Sequence, residues 1–185
     1  ISLGNRDISE SIEKTNSVFV HEDGGGAGDT RINIRGFDER NVAVMINGVP
    51  VNGMENGKIY WSNWAGLSDV TSDIQVQRGM GASSLAISSV GGTMNIITDA
   101  AKMKPEIKFK REIGMDSYRN LTLSISTGLL NHGPLKDKLA FSGSFVRKTG
   151  EGFIDKGWID GYSYFAAAIY LPAPNHAFQL SYAGA

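Results

Sequence analysis

Hydrophobic and polar residues follow two different patterns in this chain of 185 residues, and the change falls after about residue 101. In the second part, apolar and polar positions alternate, which is the period-2 pattern of a β-strand with two distinct faces. We predict five strands of this kind, at residues 107–113, 121–129, 139–145, 164–171 and 177–182. A tilted strand crosses a bilayer in about 9–11 residues, so these segments have a suitable length for a membrane-spanning sheet.

The connections between the predicted strands differ in length. Residues 115–118 and 172–176 form short connections, whereas residues 131–138 and 149–160 form longer ones. We therefore expect short turns at one end of the sheet and longer loops at the other, as in an up-and-down barrel. A soluble antiparallel sheet with one wet face shows the same alternation of residues, so the pattern leaves both interpretations open.

Five strands are too few for a closed membrane barrel, which needs about eight. An open edge in hydrocarbon would leave backbone groups without hydrogen bonds. On the membrane interpretation, we expect this chain to be part of a longer barrel.

The first part of the chain predicts a small mixed α/β unit. Ile8 and Ile12 have helical spacing, and Asp7 with Glu10 resembles a capping box. Asn47-Gly48 lies between two apolar runs and predicts a tight hairpin, because both residues tolerate a positive φ. The predicted extended runs are residues 18–20, 31–34, 42–46, 49–51, 74–77 and 93–97.

Composition narrows the classes of function. The 18 Lys and Arg balance 19 Asp and Glu, so no net charge favours nucleic acid as a partner. The absence of Cys excludes disulfides and thiolate ligands. The glycine run at residues 24–28 lacks the spacing of a phosphate-binding loop, and no G-x-S-x-G motif is present. We therefore expect no enzyme activity, bound cofactor or metal.

One segment has the composition of a ligand-binding surface. Three aromatic and two amide side chains fall within residues 56–64, and such side chains make adaptable contacts with sugars, peptides and chelates. Packing of the aromatic rings within the protein is the alternative, and it is favoured for Trp64, which precedes an apolar run. The predicted ligand-binding residues are Asn56, Lys58, Tyr60, Trp61 and Trp64.

Four segments resemble motifs of the TonB-dependent outer-membrane transporters. Residues 31–37 (RINIRGF) resemble the I-R-G strand end of their plug domains, and residues 44–51 (VMINGVPV) resemble a V-x-I-D/N-G-V-P hairpin. Residues 74–79 (IQVQRG) and 89–98 (SVGGTMNIIT) are similar to the later I-E-V-x-R-G strand and to the end of the plug. The order and separations of these motifs also match the family. The loop sequences most resemble those of transporters from Bacteroidetes-type bacteria.

The resemblance implies an α+β plug domain, a small mixed sheet with short helices, followed by antiparallel strands of a transmembrane β-barrel. Residues 1–101 are the expected plug domain, with its N-terminal part missing, and residues 102–185 are the first five or so strands. The complete barrel of such proteins has about 22 strands. Residues 1–5 do not resemble the TonB-contacting box, which in this family lies upstream of the plug.

The implied function is TonB-dependent uptake of a scarce ligand across the outer membrane of a Gram-negative bacterium, with the plug gating the barrel lumen. The family's ligands include iron chelates, cobalamin, glycans and peptides. The implied partners are the TonB–ExbB–ExbD complex and outer-membrane lipid, and a surface lipoprotein is compatible with the resemblance. The alternative function is a soluble β-rich binding or adhesion module without transport.

Two arginines are candidates for contacts between plug and barrel. Arg35 and Arg78 each precede a glycine at the end of a predicted strand. In the context of the family, they can form bidentate pairs with carboxylates of the barrel wall. The alternative is that both are ordinary solvated arginines.

Overall fold

The chain divides into two compact units. The computed structural model describes residues 8, 12, 15–22, 30–79, 89–115, 117–151, 156–173 and 175–185. The first unit comprises Ile1–Trp61 and Asp73–Thr98, and the second comprises Ser62–Ser72 and Asp99–Ala185. The predicted capping box and the glycine run at residues 24–28 lie outside the described residues. The domain limits 1–101 and 102–185 stay a prediction, since the second unit also takes in Ser62–Ser72.

The first unit contains a four-stranded mixed sheet with the strand order β4-β3-β6-β5. Strand β3 pairs in parallel with β6, and the other two pairs are antiparallel. Val42, Ala43 and Val44 are buried in succession, which shows that both faces of β3 are covered. The sheet strands are β3 (Val42–Ile46), β4 (Val49–Pro50), β5 (Asp73–Arg78) and β6 (Gly92–Ile97).

Two further strands, β1 (Val18–Glu22) and β2 (Thr30–Ile34), form an antiparallel pair in the first unit. Ile8 and Ile12 are helical and buried, as their spacing predicts. Short 3-10 helices span Glu39–Asn41, Trp61–Trp64 and Leu67–Val70. Among the described residues, no helix is long and apolar enough to cross a membrane.

The predicted hairpin at Asn47-Gly48 is confirmed. Asn47 has a φ of 51° and Gly48 has a φ of 80°, so both residues adopt the left-handed conformation that this turn requires. The Asn47 side chain also fixes the end of β6: its Nδ2 donates to Thr98 Oγ1 at 2.7 Å, and its Oδ1 accepts from the Thr98 backbone N–H at 2.8 Å. The turn therefore joins three strands of the sheet.

The second unit is a five-stranded antiparallel sheet with the order β11-β10-β9-β8-β7. All five predicted strands are present, and each pairs with its neighbour in sequence. A small core cluster of Ala100, Ala140 and Ile169 packs at one end of the sheet. The strands are β7 (Glu106–Ile113), β8 (Arg119–Leu129), β9 (Leu139–Glu151), β10 (Trp158–Ala173) and β11 (His176–Gly184).

The predicted arrangement, with short turns at one end of the sheet and longer loops at the other, is wrong. In chain order, the connections are residues 114–118, 130–138, 152–157 and 174–175. In an up-and-down sheet the second and fourth connections lie at the same end, yet they are the longest and the shortest.

Strands β9 and β10 extend further than the residue pattern indicates, because backbone pairing continues through polar positions such as Thr149 and Asp160.

Strand register sorts the side chains of this sheet into two faces. On what we call the hydroxyl face, Thr122, Ser124 and Ser126 of β8 lie with Ser142 and Ser144 of β9, and all five are buried. On the opposite, apolar face, the large side chains are exposed. These exposed residues include Ile107, Phe109, Leu121, Leu123, Ile125, Phe141, Phe145, Tyr162, Tyr170, Phe178, Leu180 and Tyr182.

Strand β10 could not be oriented from its alternation alone, because both sets of positions contain apolar residues. Register places Phe165 opposite Ser144 and Ala167 opposite Ser142, so these residues belong to the buried hydroxyl face. Ala166 and Ala168 consequently lie on the apolar face.

Candidate functional site

The loop of residues 52–60 is built around the side chain of Asn52. Its Oδ1 accepts from the backbone N–H of Val44 at 2.8 Å, and its Nδ2 donates to the carbonyls of Val42 and Gly57, both at 3.0 Å. One amide thus ties the loop to strand β3. Asn52 was not among the predicted site residues, although the dipeptide Asn52-Gly53 is a turn signal.

The structure brings Asn56 and Tyr60 together. Asn56 Oδ1 accepts from the backbone N–H of Lys58 at 2.9 Å, and Asn56 Nδ2 donates to the Tyr60 hydroxyl at 3.0 Å. Tyr60 is 49% exposed, and Met54 is fully exposed on the same loop. The loop therefore presents an aromatic ring, an amide and a thioether to solvent.

Lys58 lines a small polar cavity of about 150 Å³ in the first unit. Its lining carries both signs of charge, so it can hydrogen-bond acceptors and donors of a small polar group. Asp38 is fixed in place at this cavity, since its Oδ1 accepts from the Arg40 backbone N–H at 3.2 Å. The other lining residues are Arg31, Asn33, Gly36 and Glu39.

The two tryptophans differ from the other predicted ligand-binding residues. Trp61 is only 8% exposed, and its indole N–H has no hydrogen-bond partner among the described residues. Trp64 is half-buried and belongs to the second unit. The burial of Trp61 favours packing, the alternative that the sequence left open for this residue. Asn56, Lys58 and Tyr60 offer the accessible groups.

Of the predicted contact residues, Arg35 lies beside Gly79, which follows Arg78 at the end of β5 in the first unit. A Cβ built on Gly79, the neighbour of Arg78, would lie 3.4 Å from Arg35 Nη1. Arg35 and Gly79 both have positive φ, at 54° and 81°, which turns the chain at the two strand ends. Both arginines are exposed, and neither guanidinium forms an ion pair within the described ranges.

Ser62–Ser72 docks on the hydroxyl face of the five-stranded sheet, within the second unit. Ser163 Oγ donates to the Ala65 carbonyl at 2.5 Å. Lys110 Nζ forms an ion pair with Asp69 Oδ1, and the Asp69 side chain is 4% exposed. A Cβ on Gly66, whose φ is 80°, would overlap Cγ2 of Val146. Glycine is therefore required where this segment approaches the sheet.

The part of the chain that the structure describes has no group of three or more His, Asp or Glu residues arranged to hold a metal. Three hydroxyls of the hydroxyl face, those of Ser126, Ser142 and Ser144, are buried without a protein hydrogen-bond partner in the same described part. Small hydroxyl side chains in such a place can bind ordered water.

The chain matches a family model and a curated transporter. Residues 2–93 match the TonB-dependent Receptor Plug Domain. The vitamin B12 transporter BtuB of Vibrio vulnificus is 21% identical over 131 residues, which cover 71% of this chain and 21% of that protein. The chain thus spans about a fifth of the length of this relative.

Solved receptor structures share the fold. The ferric-catecholate import receptor Fiu of E. coli K12, in its closed form, matches with a TM-score of 0.65 and 18% identity over 97% of this chain and 24% of that chain. The FrpB iron transporter of Neisseria meningitidis matches with a TM-score of 0.65 and 14% identity, covering 95% of this chain and 29% of that one. The pyoverdine receptor FpvA of Pseudomonas aeruginosa matches with a TM-score of 0.63 and 15% identity, covering 96% and 25%.

The mixed four-stranded sheet and the antiparallel strands that follow it have the fold of these receptors, and the predicted fold class is confirmed. The relatives are named as transporters and receptors. With a plug domain matched at residues 2–93, this chain belongs to the TonB-dependent receptor family.

Proposed function

We propose that this chain is the plug-containing part of an outer-membrane transporter, which takes up a scarce ligand with energy supplied through TonB. The observation that carries the proposal is the inverted polarity of the five-stranded sheet. Thr122, Ser124 and Ser142 are buried, whereas Leu123, Phe141 and Leu180 are exposed. A sheet in water has the opposite arrangement, with its apolar side chains buried and its hydroxyls outside.

The dimensions of the apolar face support contact with lipid. Outward-facing residues of β10 run from Tyr162 to Tyr170, and this length is about 27 Å at a rise of about 3.4 Å per residue. At the 35–45° tilt of membrane strands, the band is about 21 Å tall, close to the apolar band of about 25 Å in outer-membrane proteins. Exposure of 44% at both Ile125 and Phe141, on the inner strands β8 and β9, would be unfavourable in water. This argues against the alternative of a soluble binding module.

For the ligand, we favour a metal chelate over a glycan or a peptide. Support comes from the relatives, which are named as transporters or receptors of vitamin B12, ferric catecholates and pyoverdine. Asn56, Lys58 and Tyr60 contact the ligand in this proposal, because they offer an exposed amide, a half-buried ammonium at the mouth of the polar cavity and an exposed aromatic ring. Trp61, which is buried, packs within the first unit and leaves the ligand contacts to these three residues.

Arg35 and Arg78 have a separate role in the proposal. The exposed guanidiniums of both residues bind carboxylates of the barrel wall and so hold the plug in the lumen. Guanidinium and carboxylate form two parallel charge-assisted hydrogen bonds, which suit a contact that must be both specific and reversible.

The partners follow from the family. They are the TonB–ExbB–ExbD complex, outer-membrane lipid and the transported ligand, with a surface lipoprotein as a further candidate. Nucleic acid and catalysis have no part in the proposal, and the named relatives are transporters and receptors.

The test uses the full-length protein expressed in a Gram-negative host. We expect it to sediment with the outer membrane and to support uptake of a labelled chelate only when TonB is present. Tyr60→Ala is expected to lower ligand affinity roughly tenfold, as for a residue at the centre of a binding site. Tyr170→Ala, on the apolar face, is the control and leaves affinity unchanged. Recovery in the soluble fraction, or uptake without TonB, would refute the transport proposal.

A further inference from the structure

Three arginines surround one leucine on the apolar face of the second unit. Arg111 pairs with Leu121 across β7 and β8, and Leu121 pairs with Arg147 across β8 and β9. Arg119 lies two residues before Leu121 and therefore points to the same face. The Cα atoms of Arg111 and Arg147 are two strand spacings apart, about 10 Å. Side chains as long as arginine can reach a common group across this distance.

The charges near Leu121 are positive in sum. Arg147 forms a fork with Asp160, with Nε–Oδ1 at 3.3 Å and Nη2–Oδ2 at 3.2 Å. Glu151 lies on the same face, one row of paired residues beyond Asp160. Three cations thus face two anions, and neither Arg111 nor Arg119 forms an ion pair within the described ranges.

The basic residues on the other side of the sheet do not contribute to this cluster. Lys108 and Lys110 lie on the hydroxyl face, where they pair with Glu106 and Asp69. Glu112 also lies there and accepts a hydrogen bond from Asn120 at 2.9 Å. The arginine cluster is therefore a separate feature of the apolar face.

An apolar groove of about 330 Å³ lies on the same face as the arginines. Gly143, Ala166 and Ala168 form its floor, while larger side chains such as Phe141 and Tyr182 form its walls. Its volume is at the lower end of the range for small-ligand sites. The groove lies within the sheet, because β8 and β11 contribute residues on either side of the floor.

The arginines and the groove are spaced for a lipid. Gly143 lies four residues from Arg147 on β9, about 14 Å along the strand. One leaflet occupies about half of the roughly 30 Å hydrocarbon core, so the length of an acyl chain is similar to this distance between Arg147 and Gly143. A lipid whose phosphate meets the arginines would place its chain over Phe145 and into the groove.

We propose that this face binds a phosphate-bearing membrane lipid, with Arg111, Arg119 and Arg147 on the phosphate and the groove around an acyl chain. Guanidinium groups match phosphate oxygens in charge and geometry, and they do so most strongly where water is scarce. The inference rests on the proposed membrane location of the sheet. It goes beyond general contact with lipid, since it specifies a headgroup and a position.

The experiment measures binding of phosphatidic acid to the full-length receptor by native mass spectrometry, after extraction from phosphatidylcholine vesicles doped with that lipid. The test variant is Arg111→Gln/Arg119→Gln, which removes no described ion pair. We expect a loss of affinity of about tenfold or more, as for losing a charge-assisted hydrogen bond. The matched control is Lys136→Gln/Lys138→Gln, which removes two exposed loop cations and leaves affinity unchanged.

A second variant tests the groove. Ala168→Leu fills the floor, so it is expected to weaken phosphatidic acid with long chains but not its short-chain analogue. Equal affinity of the wild type and the arginine variant would overturn the site, as would equal losses in the arginine and lysine variants. Full displacement of the lipid by inorganic phosphate would show a phosphate site without an acyl groove, and this too would overturn it.

Membrane fractionation separates failure of this inference from failure of the transport proposal. A receptor that sediments with the outer membrane but shows no arginine-dependent lipid binding refutes the lipid site alone. A receptor recovered in the soluble fraction refutes the proposed location, and the lipid site with it.

Discussion

Replacing Lys110 with Met removes the ammonium partner of the Asp69 carboxylate in the second unit. The Asp69 side chain is 4% exposed and that of Lys110 is 23% exposed, so water screens this ion pair poorly. Breaking a buried pair costs about 3–5 kcal/mol. Lys110 is partly exposed, so we expect the lower end, about 3 kcal/mol.

Lys108→Met is the matched control, because Lys108 lies on the same strand and the same face. Its partner is Glu106 at 2.9 Å, and both side chains are well exposed, at 43% and 51%. Such a surface pair contributes about 0–1 kcal/mol. The two variants lose the same side chain and the same charge, so their difference reports the burial of the Asp69–Lys110 pair.

Hydrogen exchange of the backbone amides in Ser62–Ser72 is the assay, since it measures local opening of this segment from the sheet. A loss of about 3 kcal/mol corresponds to roughly 150-fold faster exchange. Asp69→Asn/Lys110→Met, which removes both charges, is expected to recover part of the protection. Equal exchange rates in Lys110→Met and Lys108→Met would show that the Asp69–Lys110 pair does not hold this segment on the sheet.

The remaining predictions concern a glycine, an amide and an arginine. Gly66→Ala is expected to destabilise the docked segment by about 3 kcal/mol, because the alanine would be strained at a positive φ and would overlap Val146. The control Gly133→Ala, at a φ of 86° with open space around it, costs about 1 kcal/mol. Thermal unfolding distinguishes the two variants, and equal shifts in melting temperature would contradict the overlap. Asn52→Ala removes three hydrogen bonds and should expose residues 52–60 to limited proteolysis. Asn63→Ala, at an exposed asparagine outside the loop, is the control, and resistance equal to wild type in Asn52→Ala would contradict the role of Asn52. Arg78→Ala is expected to lower the resistance of the plug to denaturant, and unchanged resistance would count against a contact with the wall.

Local patterns sufficed for the strands and for the hairpin. Alternation of apolar and polar residues depends only on the geometry of a single strand, and the five strands of the second unit follow it. The Asn47-Gly48 turn was equally local, because the φ preference of these two residues selects the turn. Motif order then indicated the family, which the match at residues 2–93 supports.

Site residues were predictable only in part. The composition of residues 56–64 pointed to a loop, and the structure exposes Tyr60 and joins it to Asn56. Composition carried no information on burial, so it could not separate Trp61, which is 8% exposed, from its neighbour Tyr60. Asn52 was missed because its role depends on carbonyls that other parts of the chain supply.

Residue patterns located the five strands of the second unit, apart from the ends of β9 and β10, and they located the tight turn and the family motifs. Only contacts between distant residues place Phe165 on the same face as Ser144, Arg35 beside the strand end at Arg78, and Asp69 of Ser62–Ser72 against Lys110. Alternation along a strand defines two faces, but it does not show which face is buried. Register with neighbouring strands and contacts between distant residues determine which face is buried.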